Sequence, residues 1–313
     1  MATASFVKGK QMISIRSRLI KFILVKHMMR SAFDPFKASI EEIRQKAAKM
    51  SSRIKLPQDA YIEPINIGGI NAEWLRAFSA DEKSKKVILY FHSGGFCLEY
   101  GNNHRELALR ISKICNAKIL AVDYRLAPEY AYPAANDDCF QSYQWLLLQG
   151  HKPEDIIIGG DSSGAGLALM TLLAIRDSGT PLPKASFFMS LMGGDLRDFD
   201  GASYASRKNS DPLNSKEVIQ KYGAFYLGST LIDPPIKKNL KGLPPLCIQV
   251  GDDEVLLSDS MLLARKAEEA GVKVVFEVWK GMWHVFQGFA MMIPEAKRAI
   301  NSLGKFINSS WVV

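Results

Sequence analysis

Apolar and polar positions along the chain alternate between two rhythms. Short β-rich runs at Val87–His92, Ile119–Tyr124, Asp155–Gly159, Ala185–Leu191, Leu246–Gly251 and Val274–Trp279 are separated by stretches with helical spacing, at Glu106–Cys115, Ala134–Gln149, Leu167–Asp177, Ser258–Ala270 and Glu295–Ile307. Strand alternating with helix predicts right-handed crossovers and a mostly parallel sheet covered on both faces. Ahead of these runs, Tyr61–Ile67 and Trp74–Phe78 read as an edge hairpin closed near Gly68-Gly69, which brings the sheet to eight strands. Between Gly193 and Leu243 the rhythm lapses into a stretch punctuated by Gly, Pro and Asp, with one helix at Ser215–Tyr226. That lapse reads as an insertion serving as a second piece of cap. At the amino end, Met12, Ile13, Ile15, Leu19, Ile20, Phe22, Ile23, Leu24, Val25, Met28 and Met29 recur at loosely helical spacing.

A chain of 313 residues has room for two domains at roughly 100–200 residues each, but α/β sheets of this size are often single. The pattern fits one domain over 1–313, with a cap formed by about 1–50 and about 193–242. At 47% hydrophobic and 23% charged, the composition supplies an ordinary core. No run approaches the roughly 18 consecutive apolar residues of a membrane span. Cys97, Cys115, Cys139 and Cys247 are scattered, with no C-x-x-C pair and no histidines at metal-ligand spacing, so no metal site or disulfide framework is expected and a reducing cytoplasm fits.

Charge changes the picture at one end only. Seven of the net +8 charges lie before Asp34, as Lys8, Lys10, Arg16, Arg18, Lys21, Lys26 and Arg30, with no acidic residue among them. The nearly neutral remainder argues against nucleic-acid binding, which needs Lys and Arg clustered on the main domain. The basic helix does not read as a signal peptide, because Lys21 and Lys26 interrupt its apolar stretch and no small-residue cleavage site follows. Attachment to anionic lipid is one reading. A cap helix packed over the active site is the favoured one.

The chemistry gathers in four segments. Gly160-Asp161-Ser162-Ser163-Gly164 follows an apolar run and precedes a helix, the strand-turn-helix context of a nucleophile elbow with Ser162 at its tip. Glycines two residues before and after the serine remove side chains that would collide in so sharp a turn. His92-Ser93-Gly94-Gly95-Phe96 follows another strand. There the N–H groups of Gly94 and Gly95, with that of Ser163, can stabilise an oxyanion, and His92 reads as a structural brace of the loop. Of the five histidines, only His284 lies just beyond the last strand, where the chain order serine, acid, histidine requires the base. The acid falls within Gly251-Asp252-Asp253-Glu254, where either Asp253 or Glu254 should reach His284, while Asp252 and Asp259 read as solvated loop or helix cap.

In this order, His92-Ser93-Gly94-Gly95, Asp123-Tyr124-Arg125-Leu126-Ala127-Pro128-Glu129, Gly160–Gly164 and Trp283-His284-Val285-Phe286 resemble the hormone-sensitive lipase family of bacterial carboxylesterases, within the α/β-hydrolase superfamily. The resemblance runs from about Val87 to the end. It implies a cofactor-free carboxylic ester hydrolase acting on short acyl chains beneath a helical cap, often as a homodimer. It also implies that Tyr124, Arg125, Pro128 and Glu129 form a bracing network. Three positions depart from the family pattern. Ser93 replaces the first glycine of H-G-G-G, Val285 stands where glycine is common, and the usual D-P-L block falls on Glu254-Val255-Leu256. Placing the acid on Glu254 needs no gap, whereas Asp253 needs a one-residue slip. Glu254 is therefore the expected acid, with Asp253 in reserve. An amidase or formamidase on the same machinery is the nearest rival. A non-catalytic receptor, like the plant gibberellin receptors of this fold, is the other, and retention of His284 counts against it.

Overall fold

The computed structural model describes residues 13–197 and 201–312. The amino-terminal stretch with Lys8, Lys10 and Met12, and residues 198–200 of the insertion, lie outside the described residues. Eight strands form its centre: β1 Tyr61–Ile67, β2 Ile70–Arg76, β3 Val87–Phe91, β4 Lys118–Asp123, β5 Ile156–Asp161, β6 Ala185–Met189, β7 Leu246–Gly251 and β8 Val274–Trp279. They lie in one sheet in the order β1-β2-β4-β3-β5-β6-β7-β8. β1 pairs β2 and β2 pairs β4 antiparallel, and every later pairing is parallel. The hairpin's second strand begins at Ile70, earlier than the expected Trp74. Gly68 and Gly69, at φ 59 and 103, close a two-residue turn, so pairing resumes at once.

Side chains of a strand alternate between the two faces of its sheet. Val87, Leu89 and Phe91 enter one core with Leu120, Val122, Ile156 and Ile158, while Ile88 and Tyr90 enter the other with Ile119, Ala121 and Ile157. With both faces covered, neither parity can be polar, which is why these strands read as unbroken apolar runs. The helix after β5 spans Ser163–Asp177, four residues more than its apolar spacing suggested. Its first turn carries small residues because space forbids others: a Cβ on Gly164 would lie 2.1 Å from the Phe91 carbonyl oxygen, and one on Gly166 2.3 Å from that of Met192.

Two groups of helices lie outside this alternation. Near the amino end, Ile15–Ile20 continues through a π-helical segment, Lys21–Met29, to Ala32, and a separate helix, Ile40–Ser51, starts at a Ser39–Glu42 capping box. In the insertion, Ser215 caps the helix Lys216–Leu227 by accepting the Val218 N–H. The two regions meet where Tyr222 donates its hydroxyl to the Phe33 carbonyl at 3.0 Å. Arg44 fastens the amino-terminal region to the body by donating to the carbonyls of Cys97 (2.8 Å) and Ala127 (2.9 Å) and to both oxygens of Glu129. Arg125 and Glu129 do brace the fold as expected, but not by pairing with each other. Arg125 pairs instead with buried Asp138 at 2.7 Å, and half-exposed Glu129 belongs to Arg44.

Candidate active site

β5 ends at Asp161, and the chain reverses into the following helix through Ser162, at φ 54 and ψ −120. For a side-chain-bearing residue such a conformation costs of order 1–3 kcal/mol and persists only where surroundings impose it. The surroundings are backbone. Ser162 donates its N–H to the Met189 carbonyl at 2.9 Å, and its own carbonyl accepts from Gly166 and Met192. A Cβ on Gly160 would meet the Phe91 oxygen at 2.5 Å, so the flanking glycines are required by close approach on either side of the serine.

The structure brings Ser162, His284 and Glu254 together. The Ser162 Oγ lies 2.8 Å from His284 Nε2, and His284 Nδ1 lies 2.9 Å from Glu254 Oε2. With the carboxylate accepting from Nδ1–H, Nε2 carries the lone pair that faces the hydroxyl. Glu254 is fully buried, and its other oxygen accepts from Ser190 Oγ (2.8 Å) and from the Gly251 N–H (2.6 Å). Burial pulls the His284 pKa down, but the hydrogen bond to Glu254 and the negative charges of Glu254, Asp211 and Asp161 outweigh it. The result lies above the ordinary 6.5. Asp253, the reserve acid, is not brought to the histidine; it pairs with Lys21 of the amino-terminal helix. Asp252 is half-buried in its loop, and Asp259 lies in the first turn of the helix Leu257–Glu269. Asp252 accepts the Gly281 N–H, and buried Asp259 accepts the Tyr204 hydroxyl at 2.7 Å.

Gly94 and Gly95 stand at φ 134 and 60 in the loop after β3, and no hydrogen bond among the described residues uses either N–H. Ser163 is the first residue of its helix, where backbone N–H groups lack intrahelical acceptors. The Tyr222 ring closes over Gly95, at 2.9 Å from where a Cβ would stand. His92 braces the loop, stacking on Tyr124 and bonding through Nδ1 to the Ser93 carbonyl at 2.7 Å. Burial lowers its pKa to about 4, so it is neutral near pH 7. Ser93, the departure from the family's glycine, uses its hydroxyl. It meets His104 Nε2 at 3.2 Å, close to Asp161, whose carboxylate accepts the Tyr90 hydroxyl. Because the Gly101 N–H donates to His104 Nδ1, His104 is the donor to Ser93.

Two residues of this neighbourhood carried no motif. Ser190 bridges Glu254 and the turn after His284, since its Oγ also accepts the Val285 N–H at 2.9 Å. Asp211, fully buried in the insertion, accepts the N–H groups of Leu213 and Asn214 through one oxygen, and that of Val255, beside Glu254, through the other at 3.0 Å. Burial raises its pKa to about 6 against the opposing effect of those N–H groups and of His284. Its one signal in the sequence is the turn-forming Asp211-Pro212, which does not reveal a partner 44 residues away.

A family model described as the alpha/beta hydrolase fold matches residues 88–288, and an α/β hydrolase is what the sheet order and elbow define. The chain is 38% identical over 252 residues to an acetyl-hydrolase of Streptomyces hygroscopicus, covering 79% of this chain and 82% of that one. It is 39% identical over 255 residues to an esterase of Acinetobacter venetianus, with the same coverage of 79% and 82%. Among solved structures, an esterase from the bacterial hormone-sensitive lipase family superimposes with TM-score 0.88 at 33% identity, over 96% of this chain and all of the other. The esterase EstE5, soaked with p-nitrophenyl butyrate, does so with TM-score 0.88 at 37% identity over 96% of this chain. The chain belongs to the hormone-sensitive lipase family of carboxylesterases.

Proposed function

We propose that the protein hydrolyses short-chain carboxylic esters through an acyl-enzyme, with Ser162 as nucleophile, His284 as general base and Glu254 as the acid that orients it. The chain is a serine carboxylesterase, and the observation that carries the residue roles is the unbroken relay from Ser162 Oγ through both His284 nitrogens to Glu254, with spacings of 2.8 and 2.9 Å. A hydroxyl becomes an effective nucleophile when a positioned imidazole takes its proton as the bond to the carbonyl carbon forms. The oxygen then turns negative, and the N–H groups of Gly94, Gly95 and Ser163 are the donors assigned to it. Each such donor is worth about 3 kcal/mol in the transition state. His284 passes the proton to the departing alcohol, and water repeats the attack to release the acid. No step calls for a cofactor.

The amino-terminal helices and the insertion form the cap, a reading supported by the Tyr222–Phe33 bond and by the Tyr222 ring over Gly95. A ring packed so close to an oxyanion donor leaves room for a small acyl group, and the butyrate ester soaked into EstE5 is of that size. A reducing cytoplasm suits the four buried cysteines, all free. No helix among the described residues is long and apolar enough to cross a membrane.

Ser162→Ala tests the assignment. It should abolish turnover of p-nitrophenyl butyrate while leaving the thermal transition in place, and retained turnover would remove Ser162 from the role. Paired p-nitrophenyl butyrate and p-nitrobutyranilide substrates separate esterase from amidase, the ester being the faster.

A further inference from the structure

The amino-terminal helix shows a surplus of apolar surface that its packing role does not use. One side of it is fixed to the body. Ser14 donates its N–H and hydroxyl to Glu295 at 2.7 and 3.1 Å, Ser17 donates to the same carboxylate at 2.5 Å, Lys21 pairs with Asp253, and Val25 is completely buried. The opposite side faces solvent with Ile15, Leu19, Phe22, Ile23 and Met28, each between 54 and 76% exposed. Met291 and Met292, just before the Glu295 that holds Ser14 and Ser17, are exposed as well. Leaving so many large apolar groups together in water is unfavourable for an isolated domain.

Exposed Arg16, Arg18 and Lys26 stand among these side chains, with no acidic residue anywhere before Asp34. Beside the helix, a groove of about 330 Å³ opens towards the insertion, lined by Arg18, Lys21, Phe22, Lys26, Asn209 and Ser210. Its carboxylate, Asp253, is already neutralised by Lys21. A second copy of the chain is a poor occupant, because a two-fold contact sets the same patch against itself and would oppose cation to cation. A phosphate-bearing lipid surface satisfies both halves of the pattern. Apolar side chains enter the headgroup–acyl boundary, while Lys and Arg lay their stems along it and extend their charges to the phosphates.

We propose that this helix face docks the enzyme on an anionic lipid surface, with Leu19, Phe22 and Ile23 inserted and Arg16, Arg18 and Lys26 on the lipid phosphates. The docking is independent of the triad chemistry.

Vesicle co-sedimentation of the full chain tests it. The wild type should pellet with vesicles of phosphatidylglycerol and phosphatidylcholine and stay in the supernatant with pure phosphatidylcholine. Arg16→Glu with Arg18→Glu should weaken retention by roughly tenfold or more, since each base near such a surface contributes about fivefold. Phe22→Asp with Ile23→Asp should weaken it as strongly, and both double variants should keep wild-type turnover of p-nitrophenyl butyrate, which shows them folded. A wild type that ignores anionic vesicles, or binds both kinds equally, overturns the proposal. So does a dimer by light scattering that Phe22→Asp with Ile23→Asp converts to monomer, because the face would then be occupied by a second copy.

Discussion

Ser162 and Glu254 are held in this site by different kinds of force. Around Ser162 the grip is steric and made by backbone: the Phe91 carbonyl stands where a Cβ on Gly160 or Gly164 would fall, and sheet and helix leave the turn no other path. Around Glu254 the grip is polar and made by side chains from elsewhere. Asp211 takes the Val255 N–H, Ser203 and Ser258 exchange hydrogen bonds at 2.8 and 2.9 Å, Tyr204 reaches Asp259, and Ser190 holds the carboxylate itself. Most of these partners belong to the insertion, so the piece of chain that departs from the α/β alternation also fixes the acid loop. A steric grip fails abruptly when one atom is added. A polar grip fails in steps, as each donor loses its acceptor.

The sharpest test of the acid loop contrasts two adjacent carboxylates. Glu254→Ala should lower kcat by roughly 10⁴, the loss seen when a triad acid is removed, whereas Asp253→Ala should leave it within about threefold, since it loses only a partly exposed ion pair. Equal losses would mean that the loop, and not one carboxylate, is the functional unit. At the elbow, Gly164→Ala should destabilise the fold by roughly 3 kcal/mol or more, read as denaturant midpoint, because a backbone carbonyl cannot yield to the added carbon. A wild-type midpoint would dissolve the contrast between steric and polar grips.

Asp211→Asn comes next. An amide offers one acceptor where the carboxylate offers two, so either Val255 or the pair Leu213 and Asn214 loses its bond, at a cost of about 1–3 kcal/mol. We expect kcat to fall roughly tenfold with KM little changed. His284 must be neutral to accept the proton, so activity falls as pH drops through its pKa, which lies above 6.5. Removing the Asp211 charge should move that acid limb to lower pH, with Glu254 and Asp161 still facing the ring. An unmoved limb would make Asp211 a purely mechanical tie. The smallest effect concerns Val285, a β-branched residue held at φ 50 and ψ 41. Val285→Gly relieves about 1–2 kcal/mol of backbone strain and restores chain entropy of about 0.4–1 kcal/mol to the unfolded state. A net gain near 0.5 kcal/mol in thermal unfolding is the expected outcome.

The strand and helix order, the elbow at Ser162, the glycine loop and the place of His284 were legible in the chain, because each is signalled by a local pattern: period, turn chemistry, or position after a strand. Spacing to the family's acid block also favoured Glu254 over Asp253. What depends on distant partners came only with the folded chain: that Arg125 turns to Asp138 and Glu129 to Arg44, that Ser93 meets His104, and that Asp211 and Ser190 steady the loop of Glu254. The tertiary structure also decided which side of the amino-terminal helix is buried and which faces water. Local patterns reflect sterics that act within a few residues, whereas a buried hydrogen bond between segments tens of residues apart leaves no spacing to read and exists only once folding has removed water from both groups.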